Sequence, residues 1–106
     1  MIDTLTRVAS PKFAVDSFML RCRAMSLAPG TINWYTLLLA DFMAFLRLKE
    51  ITGIAVSADT IRAYLASCAA RGLGKTTIAK RYGVLRCFYG YLQEEGIVQV
   101  NPLLGI

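Results

Sequence analysis

The sequence contains no histidine, and its other metal-prone residues are sparse: three cysteines and seven acids in 106 residues. Cys22, Cys68 and Cys87 are odd in number, widely spaced and embedded in apolar helical patterns. They form no zinc set and read as reduced core or rim residues, so neither metal nor cofactor is expected. Without imidazole, and with the acids scattered singly, no nucleophile and base pair is evident, which leaves a small enzyme as the weakest option. Charge is also scarce, at 18% against 56% hydrophobic residues, which excludes a disordered tail and suits a densely packed bundle. The start, MIDTLTRVASPKF, lacks the charged opening and apolar run of a signal peptide. The most apolar window, LLLADFMAFL, is cut by Asp41, flanked by Arg47 and Lys49, and too short to span a bilayer. A cytoplasmic chain with no membrane partner is expected, and no sheet, repeat or low-complexity segment is visible.

What is present is helical periodicity broken by short stops. Ser10-Pro11 is a helix start, because serine caps first-turn amides and proline suits the first helical position. A first helix is expected over about 11–26 and a second over about 32–49, with Pro29 and Gly30 as the break and Thr31 as the cap. On the second, Tyr35, Leu38, Leu39, Phe42, Phe45 and Leu46 form a stripe, while Leu37, Ala40, Ala44 and Leu48 make the opposite side apolar as well. Ser57 and Asp59 open a third helix, about 58–71, with Ile61, Tyr64, Leu65 and Cys68 inward. A fourth, about 77–95, is capped by Thr76 or Thr77 and buries Ile78, Tyr82, Leu85, Phe88, Tyr89 and Leu92.

Twelve Lys and Arg against the seven acids leave +5, which makes an acidic partner plausible. The basic residues bear on RGLGKTTIAKR, which contains the last letters of a phosphate-binding loop. The loop needs GxxxxGK followed by Ser or Thr after a buried strand. Here the first glycine position holds Ala69, a helix precedes the loop, and no later strand ends in an acid for magnesium. A nucleotide is therefore excluded. The helix that follows offers a different phosphate site: unpaired amides at its start, with Lys75, Thr76, Thr77, Lys80 and Arg81 in its first turns. Lys80 points away from the apolar stripe, and Arg81 flanks it and could pair with an acidic neighbour. The same pattern also fits a solvated cap with a charged face.

Taken together, FMLRCRAMSLAPGTINWYTLLLADFMAFLR, YLASCAARGLGKTTIAKRYGVLRCFYGYL and QEEGIVQVNP resemble the N-terminal, SAM-like core-binding domain of the tyrosine recombinase (phage integrase) family. The resemblance lies in Thr31, Tyr35, Leu39, Phe42 and Leu46, then Thr77, Arg81, Leu85-Arg86, Phe88-Tyr89 and Tyr91-Leu92, then Glu95-Gly96 and Asn101-Pro102. It implies an all-α, four-helix orthogonal bundle over 11–98, after an extension over 1–10 and before a linker, 99–106, leading to a catalytic domain. It also implies that the domain is half of a clamp around double-stranded DNA. The family's catalytic residues lie beyond it, so this stretch does not cut DNA and none of its tyrosines is the nucleophile. By position, the DNA-facing residues would be Thr31, Asn33 and Trp34 on the second helix and Lys75, Thr76, Thr77, Lys80 and Arg81 on the fourth. Asn33 is singled out for a base edge, since an amide can pair with adenine in two places. Trp34 sits at the edge of the stripe, and Arg86 is placed for a phosphate or for Glu50 or Glu94. Ala28-Pro29-Gly30 departs from the family, where a serine is common in that turn.

Two rivals stand beside this expectation. In the first, the apolar side of the second helix and the tail GIVQVNPLLGI form a protein-interaction module or drive self-association. The second is a helix-turn-helix regulator, which the long helices and the lack of a short three-residue turn oppose.

Overall fold

The computed structural model describes residues 10–104 and contains four helices and no strand among them. They are α1 (Pro11–Ala24), α2 (Pro29–Leu48), α3 (Ala58–Ala70) and α4 (Lys75–Glu94). The chain divides into two compact units, Met1–Ala55 and Val56–Ile106, each built on one helical pair. No helix among the described residues is long and apolar enough to cross a membrane.

In the first unit α1 begins as its sequence dictates, with Pro11 in the first turn and the Ser10 hydroxyl oxygen accepting from the Phe13 amide at 3.5 Å. Ala14, Phe18, Met19 and Cys22 are its buried residues, and the Phe18 ring stacks on Tyr35 of α2 at 5.9 Å. The start of α2 differs from expectation. Pro29 does not break the chain but occupies the first helical turn, so Ala28 is the N-cap and Thr31 lies inside the helix rather than capping it. The physical reason is that proline's fixed φ and missing N–H suit the first turn as well as they suit a stop. The inward stripe of α2 holds Leu38, Leu39, Phe42, Phe45 and Leu46 as expected and adds Met43, while Tyr35 is half-buried. Its other side is open: Leu37 is 63% and Leu48 80% exposed.

In the second unit Ser57 caps α3, its hydroxyl oxygen accepting from the Thr60 amide at 3.2 Å. Asp59 in the first turn pairs with Arg62 at 2.8 Å. Ile61, Tyr64 and Cys68 face inward. Helix α4 starts two residues earlier than the threonines suggest, with Gly74 as N-cap and Lys75, Thr76 and Thr77 in its first turn. Gly74 takes the extended backbone of an N-cap, so the three residues after it enter the helix with amides that no side chain caps. Val84, Leu85, Phe88, Tyr89, Tyr91 and Leu92 form its buried face. Burial raises the Tyr89 phenol well above its ordinary pKa, so this ring is a neutral core group.

The chain after α4 folds back onto that helix, burying Val98, Asn101, Pro102 and Leu103. Asn101 is the buried polar anchor: its Oδ1 accepts from the Leu103 amide at 2.9 Å, and its Nδ2 donates to the Arg86 carbonyl at 3.3 Å. The Tyr82 hydroxyl donates to the Leu103 carbonyl at 3.2 Å. Val100 and Leu104 remain exposed.

All four helices stop in the same way. The amides of Ser26, Glu50, Gly72 and Gly96 reach back to the carbonyls of Arg23, Arg47, Ala69 and Gln93, and those of Leu27, Ile51, Leu73 and Ile97 to Cys22, Leu46, Cys68 and Leu92. This paired pattern requires a left-handed residue, supplied by Gly72 (φ 88°) and Gly96 (φ 73°) but also by Ser26 (φ 57°) and Glu50 (φ 60°). A Cβ in that conformation is unfavourable. Ser26→Gly and Glu50→Gly are each expected to stabilise the chain by about 0.5–1 kcal/mol, since the glycine's extra unfolded-state entropy offsets part of the relief. Thermal melts check this, and no rise for either variant would contradict it. The first helix accordingly ends at Ala24 rather than Ser26.

Candidate nucleic-acid interface

Two of the four helices begin without a side-chain cap. Ala28 before α2 and Gly74 before α4 have no oxygen to offer, and neither first turn contains an acid. By contrast, Ser10 and Ser57 close α1 and α3. The first-turn amides of α2 and α4 therefore carry the partial positive charge of a helix end with no capping side chain to absorb it.

The start of α4 gathers five of the residues picked out from the sequence. Lys75, Thr76 and Lys80 are exposed, and Thr77 is half-buried beside them. Arg81 is half-buried and turned inward: its Nη1 donates to the hydroxyl of Tyr64, a fully buried residue of α3, at 2.8 Å. That partner is a phenol contributed by the neighbouring helix. Tyr64→Phe removes the acceptor and keeps the ring, so a loss of about 1.5–3 kcal/mol is expected in urea unfolding, the range for a hydrogen bond to a charged group. A loss under about 0.5 kcal/mol would mean that the bond does not hold α4 to α3.

The other three residues lie near the start of α2. Asn33 is exposed, whereas Thr31 and Trp34 are half-buried. Asn33 can offer its amide to a ligand, while Trp34 is only partly accessible. Beyond the chosen residues, the exposed face of α4 continues through Gly83 and Arg86. The signal for this continuation was the three-residue spacing from Lys80 to Gly83 to Arg86, which keeps them on one side of a helix.

The geometry suits anion binding by backbone amides, hydroxyls and cations, and it provides no general base beside a nucleophile. No group of three or more Cys, Asp or Glu able to hold a metal ion occurs among the described residues.

Residues 17–96 match the family described as "Phage integrase, N-terminal SAM-like domain". Among curated proteins the chain is similar to the tyrosine recombinase XerC of Bacillus pumilus, with 37% identity over 75 residues, covering 70% of this chain and 25% of that protein. The tyrosine recombinase XerC of Bacillus subtilis is 36% identical over 74 residues, covering 68% of this chain and 24% of its own. The tyrosine recombinase XerD of Rhizobium meliloti is 35% identical over 75 residues, covering 71% and 24%. No solved structure matches. The chain spans about a quarter of the length of the curated relatives it matches, and the matched part is their N-terminal SAM-like domain and not the catalytic domain. The all-α fold and the matched span together place this chain in the tyrosine recombinase (phage integrase) family, as its N-terminal SAM-like domain.

Proposed function

We propose that this chain is the core-binding domain of a site-specific tyrosine recombinase, holding duplex DNA at the recombination site while a catalytic domain performs strand exchange. The observation that carries this is the uncapped start of α4, where exposed Lys75, Thr76 and Lys80 surround unfilled amide donors, in a chain of this family. Cations and helix ends neutralise phosphates and release counterions, which gives affinity without sequence preference. Asn33 on α2 is the residue assigned to a base edge, and Thr31, Trp34, Thr77 and Arg81 support the two helix starts. The domain's place of action is then the cytoplasm, with its DNA.

Fluorescence anisotropy with a labelled generic duplex across a salt series tests this. The expected dissociation constant is about 10⁻⁴–10⁻⁶ M, the range of non-specific complexes, and its logarithm should change linearly with log salt. Absence of binding at low salt would overturn the proposal.

A second reading has its own observation. Leu37, Ala40, Ala44 and Leu48 leave one side of α2 apolar and exposed, next to a cavity of about 280 Å³ between α1 and α2 lined by Val15, Met43 and Ile51. Such a surface suits a protein partner or a second copy of the chain. If this were the function, Leu37→Glu with Leu48→Glu would abolish self-association in sedimentation while DNA binding stayed absent.

A further inference from the structure

We propose that Gly83 is the point of closest approach of DNA to α4, and that Arg86 beyond it is a phosphate contact, so that the helix lies along the nucleic acid for three turns. This inference rests on the DNA-binding role proposed above. Glycine in the middle of a 20-residue helix is a local defect, because it adds backbone entropy to the unfolded chain and contributes no side chain. Among the described residues this defect has no packing cause. A Cβ built at Gly83 meets no atom of the described residues within 4 Å, its backbone is ordinary helix, and the residue is exposed. Gly90, the other glycine of α4, differs, since its Cβ would touch Asn101 Nδ2 at 3.8 Å.

The surroundings of Gly83 show what the missing side chain would obstruct. Lys80 and Arg86 are three residues before and after it, both exposed, and helical geometry sets them on opposite flanks of the line through Gly83. Thr76 is two turns earlier on that line, and Lys75 lies beside it. Lys80 and Arg86 thus flank a point at which the helix carries no side chain, with Lys75 two turns earlier, and no acid stands on α4 before Glu94. A polyanion gripped by Lys80 and Arg86 together must pass over Gly83, and a side chain there would hold it away. Close approach to a ligand backbone is one of the settings in which only glycine serves.

The test is a graded series, Gly83→Ala and Gly83→Leu, in the full chain, read by thermal melting and by duplex anisotropy. Both residues are stronger helix formers than glycine, so the melting temperature of the alanine variant should rise by about 4 °C or more and that of the leucine variant should not fall. Affinity should move the other way, by about threefold for alanine and about tenfold for leucine, with a shallower salt slope for leucine as phosphate contacts are lost. Arg86→Ala should weaken wild-type binding and have no further effect in the Gly83→Leu background, because the lifted duplex no longer reaches it. A glycine kept only for the fold cannot produce opposite shifts in stability and affinity. If Gly83→Leu binds as wild type while Lys75→Ala with Lys80→Ala weakens binding, this inference is wrong and the DNA-binding role stands. If wild type does not bind the duplex at all, both are wrong.

Discussion

Phe88→Ala is expected to destabilise the chain by about 3–5 kcal/mol, the usual cost of emptying a buried phenylalanine site. Phe88 is fully buried on α4, with its ring edge-on to Tyr89 at 5.1 Å. Leu85 and Leu92 are fully buried on the same helix, so little of the surface around the void is free to collapse. Domains of this size hold only about 5–15 kcal/mol in total, so one substitution removes a large share. Urea unfolding should show a much lower midpoint with an unchanged slope. Leu104→Ala, at a 55% exposed site twelve residues past the fully buried Leu92, is the comparison and should stay within about 0.5 kcal/mol. A change below about 1 kcal/mol for Phe88→Ala would mean that the second unit is not packed around α4.

The double variant Lys75→Ala, Lys80→Ala is expected to bind a generic duplex with a salt slope shallower by about two, since each phosphate contact contributes about 0.9 to that slope. Both lysines are exposed and Lys80 is on the side of α4 away from its buried face, so stability should hardly change. That separation matters, because a loss of affinity with an unchanged melting temperature reports on contact with DNA and not on folding. At low salt the loss should be largest, and near 1 M it should vanish as screening shortens to about 3 Å. An unchanged slope would remove the start of α4 from the interface. Asn33→Ala, in contrast, should leave the slope intact and alter only the preference among sequences, as expected for a contact to a base edge.

The all-α class, the number of helices and most of the buried faces were determined by local sequence. Apolar residues at three and four residue spacing commit a segment to one inward face, and Leu38, Phe42, Ile61, Tyr64, Leu85 and Phe88 are buried as that spacing requires. Ser10 and Ser57 likewise marked the starts of α1 and α3, because a hydroxyl cap is a local bond. The recombinase family was legible too, in the order of motifs from Thr31 to Pro102. Other features were ambiguous to any local rule. Pro29 could end or begin a helix, and the threonines after Gly74 could cap α4 or enter it. Ser26 and Glu50 adopt left-handed turns that no glycine announces. Only tertiary structure decided these, together with the Arg81 bond to Tyr64 seventeen residues away and the Asn101 anchor that folds the tail onto α4. The reason is that such contacts join residues whose separation in the chain carries no periodic signal, and their energy comes from burial that exists only once the helices have packed.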